Sequence, residues 1–261
     1  MTTSTWITED VRVAGTPVRV RRGGAGAPVV VLHHEIGSPE RLPFDDELAA
    51  GGLVYRPTRP GYDGSARPDW LRNVRDLAVL YQWLLAEQGL EGVTLVGLGF
   101  GGWVAAEMAT MSPRAFRRLV LVGAMGIKPR AGEILDQALL SYLDYVRAGF
   151  ADPTMLETVF GADLPTEVLE HWDLNREMTF RIAWKPYLYN PGLPHLLGGV
   201  RTPALVVWGS HDRIVPAECG DAYARALPHA RLTRIDGAGH FVEMEKPREL
   251  ARAIAQFAAG S

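Results

Sequence analysis

Cysteine is nearly absent: Cys219 stands alone among 261 residues. No disulfide can form within the chain, so a reducing, cytoplasmic setting is expected, with the thiol serving packing. Charge of one sign is lacking too. With 27 Lys and Arg against 30 Asp and Glu, the net charge is −3, and no basic stripe interleaved with aromatics is present to meet phosphates, so nucleic acid is not an expected partner. Apolar runs such as Leu119 to Val122 are short, far below the roughly 20 residues a spanning helix needs, and no membrane partner is expected. The start of the chain carries Glu9 and Asp10 without a basic segment ahead of an apolar run, which is not the pattern of a signal peptide.

What remains is an ordinary globular balance, 47% hydrophobic and 22% charged residues, sufficient at this length for one large α/β domain with an inserted lobe. Runs rich in β-branched residues near glycines predict strands at Val18 to Val20, Pro28 to Leu32 and Gly52 to Arg56. Apolar residues recurring at Val74, Leu77, Leu80, Tyr81 and Leu84 predict a helix over Trp70 to Gln88. A strand at Val93 to Val96, a helix at Phe100 to Met111 and a strand at Leu119 to Val122 follow. The alternation then stops: residues from about 130 to 190 read as helical pieces rich in Trp and Tyr, punctuated by Pro153, Pro165, Pro186 and Pro191. Strands return at Ala204 to Trp208 and Arg231 to Ile235, each followed by a helix, Ala217 to Leu227 and Pro247 to Ala258. This order predicts an α/β fold with a mostly parallel sheet flanked by helices, its ligand site at the carboxyl ends of the strands. The expected organisation is a core of residues 1–124 and 197–261 and a helical cap of residues 125–196.

Residues 93–102 have the character of strand, tight turn and helix, and the turn reads Gly97-Leu98-Gly99-Phe100-Gly101. In a GxSxG elbow the central residue is a serine whose Oγ projects over the sheet end. Glycine accepts the positive φ of such a turn, so the backbone can persist while the hydroxyl is gone. Four other segments keep it company: Leu32-His33-His34-Glu35-Ile36-Gly37, Pro60-Gly61-Tyr62-Asp63-Gly64-Ser65, Trp208-Gly209-Ser210-His211-Asp212-Arg213-Ile214-Val215-Pro216, and Gly237-Ala238-Gly239-His240 through Glu243, Glu245 and Pro247.

Jointly and in this order, the five segments resemble the α/β-hydrolase superfamily over nearly the whole chain. The resemblance implies the α/β-hydrolase fold with an inserted helical cap, Asp212 and His240 as the acid and base of a triad, and the amides of Glu35 and Phe100 beside Gly99 as an oxyanion hole. Two positions depart from the pattern together. His34 replaces the glycine of the family's LHG loop, and Glu35 follows it. An ionised carboxylate there would repel an oxyanion; it would serve as a protonated acid, a base for water or a metal ligand. His33 matches the family histidine that does structural work beside this loop.

The His33-His34-Glu35 run also suggests metal, yet adjacent residues in extended backbone face opposite ways, so His33 and His34 would not share one ion, and only His34 or Glu35 would join His240. The expectation is therefore a site without metal or cofactor. Ser38, Ser65 and Ser141 are poor substitutes for the missing nucleophile, and His211 reads as solvated. Trp103, Trp184 and Tyr187 are candidate substrate contacts, Trp184 as a roof residue, for a small apolar or aromatic molecule. Three readings follow. One is an enzyme without a covalent intermediate, in which His240 and Asp212 activate water for attack on an ester, lactone or C–C bond substrate, or act in a cofactor-free lyase, with Glu35 as acid or base. The second is a non-catalytic ligand binder. The third is a serine hydrolase inactivated by substitution at position 99. The pattern specifies no oligomeric state.

Overall fold

A computed structural model describes residues 5–260. Eight strands, β1 (Trp6–Val13), β2 (Thr16–Gly24), β3 (Pro28–Leu32), β4 (Leu53–Pro57), β5 (Thr94–Leu98), β6 (Arg118–Val122), β7 (Ala204–Gly209) and β8 (Ala230–Ile235), form one sheet in the order β1-β2-β4-β3-β5-β6-β7-β8. β2 pairs antiparallel with β1 and with β4, and every pairing from β4 to β8 is parallel. The central strands β5 and β7 are buried along their full length, as expected of strands covered on both faces. The first strand escapes the sequence reading because the adjacent Glu9 and Asp10 interrupt its apolar pattern at a largely exposed edge.

Among the described residues ten helices accompany the sheet: α1 (Pro43–Ala49), α2 (Val74–Glu87), α3 (Phe100–Met111), α4 (Tyr142–Ala148), α5 (Met155–Phe160), α6 (Thr166–Ala183), α7 (Leu193–Leu197), α8 (Ala217–Ala226), α9 (Val242–Glu245) and α10 (Pro247–Ala259). Helix α2 begins four residues later than the periodicity predicts. Asn73 caps it: its side chain accepts from the Asp76 amide, and the Asp76 carboxylate accepts from the Asn73 amide, a reciprocal closure that sets the first turn.

Between β6 and β7 the chain builds α4 to α7 before it returns to the sheet. These helices are tied to the loop after β3. Asn175 of α6 donates to the Ile36 carbonyl at 2.9 Å, Tyr142 of α4 to the Glu35 carbonyl at 3.4 Å, and the Thr179 and Tyr62 hydroxyls share a hydrogen bond of 2.7 Å. The loops after β3, β5, β7 and β8 therefore meet at one end of the sheet, beneath α4 and α6. No described helix is long and apolar enough to cross a membrane.

Candidate active site

The turn between β5 and α3 is an elbow. Gly99 has φ 51° and ψ −114°, a conformation in which an L-residue carries strain and glycine carries little. Its amide is fixed to the Val122 carbonyl at 2.9 Å, and its carbonyl accepts from the amides of Gly102 and Met125. The space a serine side chain would occupy is filled. A Cβ on Gly99 would stand 2.2 Å from His34 Nδ1, 2.8 Å from Glu35 Oε2 and 2.9 Å from His240 Nε2. The glycine makes room for two side chains of the β3 loop.

That loop turns sharply. His34 bridges to Gly37 across a turn at Glu35 and Ile36, and Gly37, at φ 90°, has no room for a side chain beside Asp63. The turn departs from the alternation of extended backbone, and both His34 and Glu35, each a candidate from the sequence, reach the Gly99 site. His33 points the other way, as its structural role requires: its Nδ1 donates to the His34 carbonyl at 2.8 Å and its Nε2 accepts from the Arg59 amide at 2.9 Å. Burial, reinforced by the Arg59 cation, holds the His33 pKa well below the usual histidine value. Arg59 is fully buried, with its guanidinium between the rings of Tyr62 and Phe100 at 4.5 and 4.6 Å, and donates to the carbonyls of His33 and His34.

Each histidine at Gly99 is gripped from behind by a carboxylate. His240 Nδ1 lies 2.9 Å from Asp212 Oδ2, while Asp212 Oδ1 accepts from the amides of Ile214 and Val215 at 2.9 Å each. His34 Nε2 lies 3.1 Å from Glu243 Oε2. Each histidine thereby aims its other nitrogen at Glu35: His240 Nε2 is 3.5 Å from Oε1, and His34 Nδ1 is 3.7 Å from Oε2. Glu35 also accepts from the Tyr145 hydroxyl at 3.0 Å and from the Phe100 amide at 3.4 Å. The Phe100 amide, expected to line an oxyanion hole, is thus engaged by the protein's own carboxylate.

Glu35, His240 and His34 are 0, 0 and 1% exposed, so these charges act without water between them. Burial alone would lower the His240 pKa, but Asp212 and then Glu35 outweigh it and push it up to about 10. Burial likewise opposes protonation of His34, and Glu243 overcomes it, raising the pKa. For Glu35 burial favours the neutral acid; the facing His240 and His34 reverse this and hold its pKa well below the usual carboxylate range. Near neutral pH the pair is an imidazolium facing a carboxylate.

Of the aromatic candidates, Trp103 packs edge-on against Phe100 at 5.6 Å and donates from Nε1 to Glu107. Trp184 is 44% exposed and stands against Phe180 and Tyr187; the structure does not bring it to Glu35 and His240. The Tyr187 hydroxyl accepts from the Gln137 amide and donates to the Leu135 carbonyl, positioning the residue whose side chain reaches Tyr145. The residues that do surround the cluster are Tyr142 and Tyr145, stacked at 5.5 Å, and Phe241, 5.0 Å from His34 and 5.4 Å from His240. Sequence reasoning misses Tyr145 and Glu243. Glu243 had a signal, three residues after His240 within the last motif; Tyr145 had none.

The sequence profile of the Alpha/beta hydrolase family matches residues 29–253. The 2-hydroxymuconate semialdehyde hydrolase of Pseudomonas sp. (strain CF600) is 26% identical over 272 residues, covering 97% of this chain and 94% of that protein. Polyketide synthase ThaQ of Burkholderia thailandensis is 30% identical over 93% of this chain, which spans only 12% of the synthase's length. The solved 2-hydroxy-6-oxo-6-phenylhexa-2,4-dienoate hydrolase from Rhodococcus sp. strain RHA1 superposes with a TM-score of 0.78 at 22% identity, covering 98% of this chain and 99% of that chain. With the parallel sheet, the elbow at Gly99 and the Asp212–His240 pair in place, the chain belongs to the alpha/beta hydrolase family.

Proposed function

We propose that this protein is a hydrolase that works without a covalent intermediate, adding water directly to a small apolar ester, lactone or C–C bond substrate at the point where Glu35 and His240 face each other. The observation that carries this reading is the filled elbow: His34 Nδ1 stands 2.2 Å from where a Cβ at position 99 would lie. A serine would have to displace His34, which argues against a serine hydrolase with its nucleophile merely deleted. Retention of Asp212 behind His240, together with the added Glu35, speaks for acid and base chemistry over passive binding.

The electrostatics favour a division of labour opposite to that expected from the sequence. Glu35 is the proton acceptor and the His240 imidazolium, steadied by Asp212, the donor. The water oxygen bonds to the substrate's carbonyl carbon while its proton passes to Glu35. As the bond to the leaving atom breaks, His240 Nε2 delivers its proton there. The proton on Glu35 then crosses to His240, 3.5 Å away, and both groups are restored. The tyrosines and Phe241 around the cluster suit an apolar substrate. The relatives named for hydroxymuconate and phenylhexadienoate hydrolysis support the same class. Because the reacting atoms are buried under α4 and α6, substrate reaches them when that layer parts.

The test is turnover on a panel of aryl esters, lactones and ring-cleavage dienoates by wild type, Glu35→Gln and His240→Gln, with intact-mass analysis during turnover. Losses of about 10²-fold or more in both variants, and no covalent adduct, are expected. Equal rates for all three proteins, or an acyl-enzyme mass, would overturn the reading.

A further inference from the structure

We infer that His34, Glu35 and His240 form a binding site for one divalent first-row transition metal of the Zn²⁺ or Fe²⁺ class. The donor set is two imidazole nitrogens and one carboxylate, and the three ligating atoms lie within 4.8 Å of one another. Ligand atoms around a four-coordinate metal with bonds of about 2.0–2.2 Å stand roughly 3.3–3.6 Å apart. Glu35 Oε2 lies 3.7 Å from His34 Nδ1 and its Oε1 lies 3.5 Å from His240 Nε2, so closure onto an ion would draw the three donors together from within 4.8 Å.

Three independent features support the assignment. First, His34 Nδ1 and His240 Nε2 are buried nitrogens with no hydrogen-bond partner among the described residues, both directed at Glu35; such orphaned atoms in a protein interior call for a ligand. Second, the far nitrogen of each imidazole is held by its own carboxylate, Glu243 behind His34 and Asp212 behind His240. Metal-ligating histidines are held in this way, since the outer carboxylate fixes the tautomer and strengthens the donor. An acid–base dyad needs one such carboxylate, and the Glu243–His34 pair has no part in it. Third, a Cβ on Gly99 would stand 2.2 Å from His34 Nδ1, 2.8 Å from Glu35 Oε2 and 2.9 Å from His240 Nε2, so the glycine is what lets the three donors converge.

Nitrogen donors with a single carboxylate disfavour Mg²⁺ and Ca²⁺, which take oxygen sets. Three protein donors leave a position free for water, as in catalytic zinc sites and in iron centres of two histidines and one carboxylate. The inference rests on the hydrolase reading but changes how its protons move: with an ion bound, His240 Nε2 and Glu35 would be ligands rather than proton donor and acceptor, and the ion would supply the acidity of its bound water.

The test uses the full chain, stripped with a chelator and desalted, then titrated with Zn²⁺ by competition calorimetry and with Co²⁺ by visible absorption, before any activity assay. One ion per chain is expected, with a cobalt spectrum of nitrogen and oxygen ligation. Gly99→Ala leaves every ligand in place and should abolish binding. Glu243→Gln should weaken it 10- to 100-fold, about the loss that follows removal of a carboxylate behind a ligating histidine, and His211→Ala, on the exposed β7 loop, should bind as wild type. The metal site is overturned by the absence of stoichiometric binding to wild type, or by binding unchanged in both Gly99→Ala and Glu243→Gln. Stoichiometric, Glu243-sensitive binding without hydrolysis of any panel substrate would sustain the metal site and remove the hydrolase reading. Hydrolysis at full rate by protein that binds no metal would do the reverse.

Discussion

Gly99→Ala isolates the claim that His34 and Glu35 occupy the nucleophile's place. The new methyl would lie 2.2 Å from His34 Nδ1, 2.8 Å from Glu35 Oε2 and 2.9 Å from His240 Nε2, at a φ of 51°. Left-handed backbone costs an L-residue about 1–2 kcal/mol, and overpacking a filled interior about 1–3 kcal/mol more. The expected destabilisation is therefore about 2–5 kcal/mol, on the order of 5–15 °C in Tm for a domain of this size. His34→Ala removes the closest obstacle, although it also leaves Glu243 buried without its partner. In a double-mutant cycle followed by urea denaturation, the clash appears as coupling: the double variant should be less destabilised than the sum of the singles by about 1–3 kcal/mol. Strain from φ is the same in both backgrounds and cancels. Strict additivity, or a Gly99→Ala protein as stable as wild type, would refute the argument that this glycine exists to admit the His34 side chain.

Arg59→Met should lower stability by about 2–5 kcal/mol in the same assay, because the buried carbonyls of His33 and His34 lose their donor; a change below about 0.5 kcal/mol would mean that Arg59 does not hold the loop. Tyr145→Phe deletes a hydrogen bond to Glu35 and should raise the Glu35 pKa, moving the acid limb of a kcat/KM profile to higher pH with little loss of stability; an unmoved limb counts against Glu35 as the reacting carboxylate. The His240 pKa stands near 10 against an unfolded value of about 6.5. The folded protein thus holds this proton more tightly, and the contribution is full below about pH 6.5 and lost as pH rises through 10. In chelator-treated protein the stability advantage of wild type over His240→Gln should shrink across that window, and parallel curves would exclude the ion pair.

The fold was legible in the sequence because its signals are local. Glycine-bounded apolar strands and the positive φ accepted at Gly99 are properties of a few consecutive residues, and they lie where the pattern puts them, whereas the Asn73 cap starts α2 four residues after the predicted Trp70. The Asp212–His240 contact, 28 residues apart, was legible through the resemblance to the α/β-hydrolase superfamily, and the parallel β7 and β8 bring the two residues together at their carboxyl ends. Edge strand β1 was not, since an exposed edge needs little hydrophobic pattern to pair.

The sequence by itself thus determined an alpha/beta hydrolase scaffold with glycine at the elbow and with Asp212 and His240 after successive strands. Only the tertiary structure decided which side chains fill the space beside Gly99. A tight turn at residues 34–37 sends two adjacent side chains to the same point, against the alternation that extended backbone would impose. Glu243, 209 residues from His34, closes on it from helix α9. Side-chain direction in a turn and contact between distant segments depend on packing of the whole molecule, which no short stretch of sequence encodes.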